Sequence, residues 1–115
     1  MARFLITFIG DGIYVDRGAQ APYSGFVAMR CIRLSDEEQA VQRGKIELLK
    51  DWRAQFNREN KAGTPQLEVH SVRRLRNPLK RLKLERDYQF YGSIDERDDA
   101  VAAAERAVKR WFIVR

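Results

Sequence analysis

Two long extended segments, 4–9 and 26–34, carry apolar side chains on both of their faces, and this doubling constrains the fold more than any other feature. Side chains alternate across a strand. Phe4, Ile6 and Phe8 therefore point one way and Leu5, Thr7 and Ile9 the other. In the second segment Phe26, Ala28, Arg30, Ile32 and Leu34 oppose Val27, Met29, Cys31 and Arg33. A strand with one wet face reads as apolar and polar in strict alternation; these two read as strands covered on both sides.

The other elements are short or clearly amphipathic. Gly10-Asp11-Gly12 signals a turn and predicts a tight hairpin onto Ile13-Tyr14-Val15, and the Gly-, Ala-, Pro- and Ser-rich stretch 16–25 predicts a loop. Ser35-Asp36-Glu37-Glu38 has the form of a capping box, with Ser35 as cap and Glu38 reaching back. Val41, Lys45, Leu48, Leu49, Trp52 and Phe56 follow at helical spacing, which predicts a helix over 36–59, stopped by Asn60, Gly63 and Pro65. Residues 67–75 predict a third strand. Leu67 and Val69 alternate while Val72 is out of phase, so a bulge is expected near Ser71. Asn77-Pro78 ends that strand, 79–84 is ambiguous between loop, helical turn and strand, and 88–91 predicts a fourth strand. Ser93-Ile94-Asp95-Glu96 is a second capping box. The stripe Ala100, Val101, Ala104, Val108, Trp111 and Phe112 predicts a helix over 95–112, with Lys109 and Arg110 placed to complement the negative end of its dipole.

The order is ββαββα. The simplest architecture is an α+β fold, a single domain over 1–115, in which a four-stranded, mainly antiparallel sheet carries two amphipathic helices packed on one face. It is neither the ferredoxin-like order nor that of double-stranded-RNA-binding domains. Each helix has an acidic start and a later tryptophan, Trp52 or Trp111; an internal repeat and the ordinary likeness of capped helices explain this equally well.

Two helices on one face leave the other bare. On that arrangement either Leu5 and Ile9 or Phe4, Ile6 and Phe8 lie on the uncovered side, with one set from the second strand, for instance Val27, Met29 and Cys31. With Leu5, Ile9, Val27 and Met29 taken as the exposed apolar patch, the expectation is an interface, which such patches mark. A homodimer or a protein partner is one way to cover it; the connecting segments 13–25 and 76–87 are another. The leading expectation is a non-enzymatic binding or assembly module that self-associates through this uncovered sheet face.

Charge gives a second expectation. The net charge is +6, and the segment 73–86 holds seven bases (Arg73, Arg74, Arg76, Lys80, Arg81, Lys83 and Arg86) against one acid, Glu85. The rest of the chain has equal numbers of bases and acids, so the basicity is one patch in sequence. Lys and Arg in a row can track a phosphate backbone, and Tyr88, Phe90 and Tyr91 are placed to stack on bases, so nucleic acid or another polyanion is the expected ligand. The plainer reading is an edge strand and loop whose charges discourage strand-to-strand aggregation.

A third expectation is an enzyme with a small pocket near Arg30, Cys31 and His70, with Cys31 as nucleophile and His70 as base. The plainer reading is a buried thiol and an ordinary strand histidine. One His and one Cys supply too few N and S ligands for a zinc site, no phosphate-loop or nucleophile-elbow motif occurs, and no cofactor is expected. With 44% apolar and 33% charged residues the chain is globular rather than disordered. No apolar run is long enough for a spanning helix. The N-terminal run resembles a signal peptide but is too short and lacks a cleavage pattern, so it reads as a first strand. A lone cysteine agrees with a reducing, cytoplasmic setting.

Gly25-Phe26-Val27-Ala28-Met29-Arg30, Ser35-Asp36-Glu37-Glu38-Gln39-Ala40, Pro65-Gln66-Leu67-Glu68-Val69 and Phe90-Tyr91 together resemble small uncharacterised bacterial α+β proteins. The resemblance spans roughly 25–91. It implies a stand-alone bacterial cytoplasmic protein and assigns no role to any residue.

Overall fold

The computed structural model describes residues 2–75 and 86–113, and the elements follow in the order β1 (Ala2–Val15), β2 (Tyr23–Leu34), α1 (Glu37–Phe56), β3 (Gln66–Leu75), β4 (Arg86–Tyr91) and α2 (Ile94–Ile113). The ββαββα order and the four-stranded antiparallel sheet are as expected. The strands lie in the order β3-β1-β2-β4, so the two doubly apolar strands are the central ones.

The helices do not share a face. Phe4, Ile6, Phe8, Phe26, Ala28 and Ile32 pack with Ala40, Leu48 and Trp52 of α1. Their alternates Leu5, Ile9, Val27 and Met29 pack with Ala100, Ala104 and Val108 of α2. The fold is therefore three layers, helix–sheet–helix. The expectation of both helices on one face is corrected, and so is the interface built on it. Leu5, Ile9, Val27 and Met29 are only 1%, 3%, 3% and 1% exposed, and it is the chain's own second helix that covers them. Burial of several large aliphatic side chains stabilises that arrangement by about 1.5–3 kcal/mol each.

Three local expectations also change. No hairpin forms at Gly10-Asp11-Gly12. Asp11 and Val15 both pair with β2, opposite Gly25 and Tyr23, with a register shift between them. Gly12, at φ +82°, kinks the strand without reversing it, and the Tyr14 amide turns aside to donate to Ala62 O at 2.8 Å. The cap of α1 is Asp36, not Ser35: its carboxylate accepts from the Gln39 amide at 3.2 Å. That helix ends at Phe56. Beyond it the Asn57 side chain accepts from the Ala62 amide at 2.9 Å and Trp52 Nε1 donates to Gly63 O at 2.8 Å, which ties the following loop back onto the core.

The predicted loop over 16–25 is shorter, because β2 already begins at Tyr23 and Gly25 pairs with Asp11 and Tyr91. Two other cues hold. Ser93 Oγ accepts from the Glu96 amide at 3.2 Å at the start of α2. The bulge in β3 lies where Thr7 pairs with Ser71 and Phe8 with Val69, leaving His70 as the extra residue. The side chains of Trp111 and Phe112, and the segment 79–84, lie outside the described residues.

Candidate nucleic-acid interface

The strand registers gather basic residues that are far apart in sequence. Arg3 pairs with Arg33 on one side and with Leu75 on the other, and Leu5 in the next row of the same face pairs with Cys31 and Arg73. Residues directly opposite each other on antiparallel strands share a face. Leu5, Leu75 and Cys31 belong to the cluster beneath α2, so Arg3, Arg33 and Arg73 all project from that face at one end of the sheet. Arg33 and Arg73 are exposed and Arg3 is half-buried, its Nε enclosed without a hydrogen-bond partner among the described residues. Arg74 pairs with Phe4 and so lies on the opposite face, exposed at the edge. Arg76, Lys80, Arg81 and Lys83 lie outside the described residues, as does the side chain of Arg86, whose backbone pairs with Met29.

Arg3 and Arg33 carried no signal in sequence, because each stands alone among apolar neighbours. Only the β1–β2 register brings them opposite each other and next to the end of β3.

The expected aromatic platform does not exist. Tyr88 and Phe90 belong to a ring cluster beneath α1. Phe26 stacks on Trp52 with centroids 5.3 Å apart, and Tyr88 meets Phe26 edge-on at 4.8 Å. Tyr91 points the other way and is 3% exposed, its hydroxyl donating to Gly10 O at 3.1 Å and to the Asp11 carboxylate. Tyr91 is buried, and Tyr88 and Phe90 are half-buried with their faces met by neighbouring rings, so none is laid out as an open stacking surface.

The proposed pocket of Arg30, Cys31 and His70 does not form either. Arg30 faces α1, where it approaches Asp51 at 3.6 Å and lies 5.4 Å over the Tyr88 ring. Cys31 faces α2. His70 is on β3, separated from β2 by β1, two strand spacings away or roughly 10 Å. Alternation and strand order together keep the three apart.

Arg30, Asp51 and Tyr88 instead make a structural cluster between β2, β4 and α1. Tyr88 donates to Asp51 Oδ2 at 2.7 Å, and Gln55 Nε2 donates to the same carboxylate at 2.8 and 2.9 Å. Partial burial pulls the Asp51 carboxyl upward, but the bonds from Tyr88 and Gln55 and the Arg30 charge outweigh it and hold the group below its ordinary value. Burial, and then the Asp51 carboxylate, push the Tyr88 phenol well above its own. At the opposite end of the sheet Arg17 grips Glu96 through two bonds of 3.1 and 2.9 Å, while its guanidinium lies 4.5 Å over the Tyr23 ring. Glu96 also accepts from the Gly92 amide at 3.1 Å, and the Arg17 bond holds its carboxyl below the usual range.

One further polar feature borders the arginine rows. A cleft of about 120 Å³ between β3 and α2 is lined by Thr7, His70, Ser71, Arg73, Glu105 and Val108. Within it His70 Nε2 lies 2.8 Å from Glu105 Oε1.

Among the described residues, no helix is long and apolar enough to cross a membrane, and no three metal-ligating side chains converge. Comparison of the sequence with family models, with curated proteins and with solved structures finds no match.

Proposed function

We propose that this chain is a non-enzymatic module that binds nucleic acid as a polyanion, through the sheet end where Arg3, Arg33 and Arg73 share one face. The observation that supports the reading above all is the cross-strand pair Arg3–Arg33. Like charges directly opposite each other destabilise a strand pair, on the scale of roughly 0.2–1 kcal/mol on which opposite charges stabilise one. An anion lying across the pair removes that cost and turns both charges to use. The segment 73–86, with seven bases and one acid, begins on the strand beside this pair.

The contacts are to phosphate. Among the described residues no aromatic ring adjoins the arginines, and binding through phosphate contacts falls steeply with salt. A single cysteine agrees with a cytoplasmic setting for such a module.

Fluorescence anisotropy with a labelled oligonucleotide over a chloride series tests the reading. The expected result is a linear fall of log K with log salt, its slope reduced by about 1 for each phosphate contact removed by Arg3→Ala, Arg33→Ala or Arg73→Ala. No binding at low ionic strength, or affinity unchanged in the triple variant, overturns it.

A further inference from the structure

We propose that the cleft between β3 and α2 seats a single phosphate group. The inference deepens the nucleic-acid reading and rests on it for the natural source of that phosphate, a terminal monoester of a bound strand.

The size of the cleft comes first. About 120 Å³ holds one small oxyanion; sites for whole drug-sized ligands begin at roughly 300 Å³. The space suits a single small group such as a phosphate end rather than a whole nucleotide.

The lining comes next. Thr7 is 2% exposed and Ser71 is half-buried, and both side chains line the cleft. The two residues are cross-strand partners, so both hydroxyls open on the same spot. A hydroxyl is a donor as well as an acceptor, and an oxyanion supplies acceptors to both. Arg73, in the adjacent row of the same face, brings a guanidinium suited to phosphate. The bulge turns the extra residue of β3, His70, into the wall of the cleft, where its bond to Glu105 engages the one carboxylate among the lining residues.

Position is the last element. Rows on one face of a strand repeat about every 7 Å. The Thr7–Ser71 row follows the Leu5–Arg73 row, which follows the Arg3–Arg33 row. A backbone lying over the arginines thus ends at the cleft.

The test titrates isotopically labelled protein with inorganic phosphate, chloride holding the ionic strength constant, and follows the shifts by NMR. Expected are saturable shifts at Thr7, His70, Ser71 and Arg73 with none at Arg74, and affinity about tenfold weaker in Ser71→Ala and in Thr7→Val. A non-saturating drift shared by all arginines, or full affinity in both hydroxyl variants whose spectra remain folded, overturns the proposal.

A second arm compares one oligonucleotide with and without a terminal phosphate. Preference for the phosphorylated strand by about tenfold, lost in Ser71→Ala, supports the monoester source. Equal binding of the two strands beside saturable shifts with inorganic phosphate supports the seat and assigns it to free phosphate. Oligonucleotide binding with no shifts at the cleft overturns the seat and leaves the nucleic-acid reading standing. Saturable phosphate shifts with no oligonucleotide binding do the reverse.

Discussion

The two sides of the sheet are built from alternate residues of the same two strands, yet they pack in different ways. Beneath α1 the layer is aromatic: Phe4, Phe8, Phe26, Trp52, Tyr88 and Phe90 interlock. The helix comes close because its buried stripe is Ala40, Gly44, Leu48 and Trp52. A Cβ on Gly44 would stand 2.8 Å from Phe8 Cζ, so this glycine sets the distance between helix and sheet. Beneath α2 the layer is aliphatic, Leu5, Ile9, Val27 and Met29 against Ala100, Ala104 and Val108. It gives way towards β3 to hydroxyls, an imidazole and arginines. The first face is closed by large rings. The second is closed by small residues over part of its width, and the remaining width is where a ligand can be met.

Removing the largest ring should therefore cost most. Trp52→Ala is expected to lower unfolding stability by about 3–5 kcal/mol, measured by chemical denaturation. On the other face Leu5→Ala should cost about 2–5 kcal/mol, because the site is core; a loss within the roughly 0.5 kcal/mol typical of surface positions would remove the second core from the comparison.

Gly44→Ala pits two effects against each other. Helix propensity favours alanine by about 1 kcal/mol, while overpacking against a fully buried Phe8 costs about 1–3 kcal/mol. Packing wins, and a net destabilisation is expected. A gain in stability would mean that the helix stands farther off than the glycine implies.

Tyr88→Phe removes the bond to Asp51 and should cost about 1 kcal/mol at neutral pH. It should also change the acid limb. The Asp51 carboxyl is held below its ordinary value in the folded state, so in the acid range the unfolded chain binds the proton more readily. The Asp51 contribution is thus fully present above the unfolded value, about pH 4, and is lost as pH falls through the lower folded one. A pH series of urea midpoints should show a shallower acid decline in Tyr88→Phe than in the parent. A smaller contrast comes from the start of α1. Asp36→Ala should cost typically about 1 kcal/mol and Ser35→Ala no more than about 0.5 kcal/mol, because Asp36 accepts the capping bond.

Much of this architecture could be read from residue order alone. Strand and helix succession, the bulge in β3, the Ser93 cap and the double-sided character of 4–9 and 26–34 are local patterns, and the chain obeys them. The stripe of α1 was legible only in part. Leu48 and Trp52 stood out, while the small Ala40 and Gly44, which were not read into the stripe, mark the line of closest approach. The candidate site was less legible. Arg73 and Arg74 belong to a run visible in sequence, whereas Arg3, Arg33, Thr7 and Ser71 join it only through pairing register.

The sequence determined that more apolar surface existed on the two central strands than one helical layer could shelter, since alternation fixes how many side chains each face must hide. Which body hides them was a tertiary decision. Side-chain period says that a face is apolar and nothing about which element crosses it, so a helix from the same chain and a second molecule look alike until the chain's path is known. The same reason holds for the arginines: charge is written in the sequence, but who stands opposite whom is settled by the strand register.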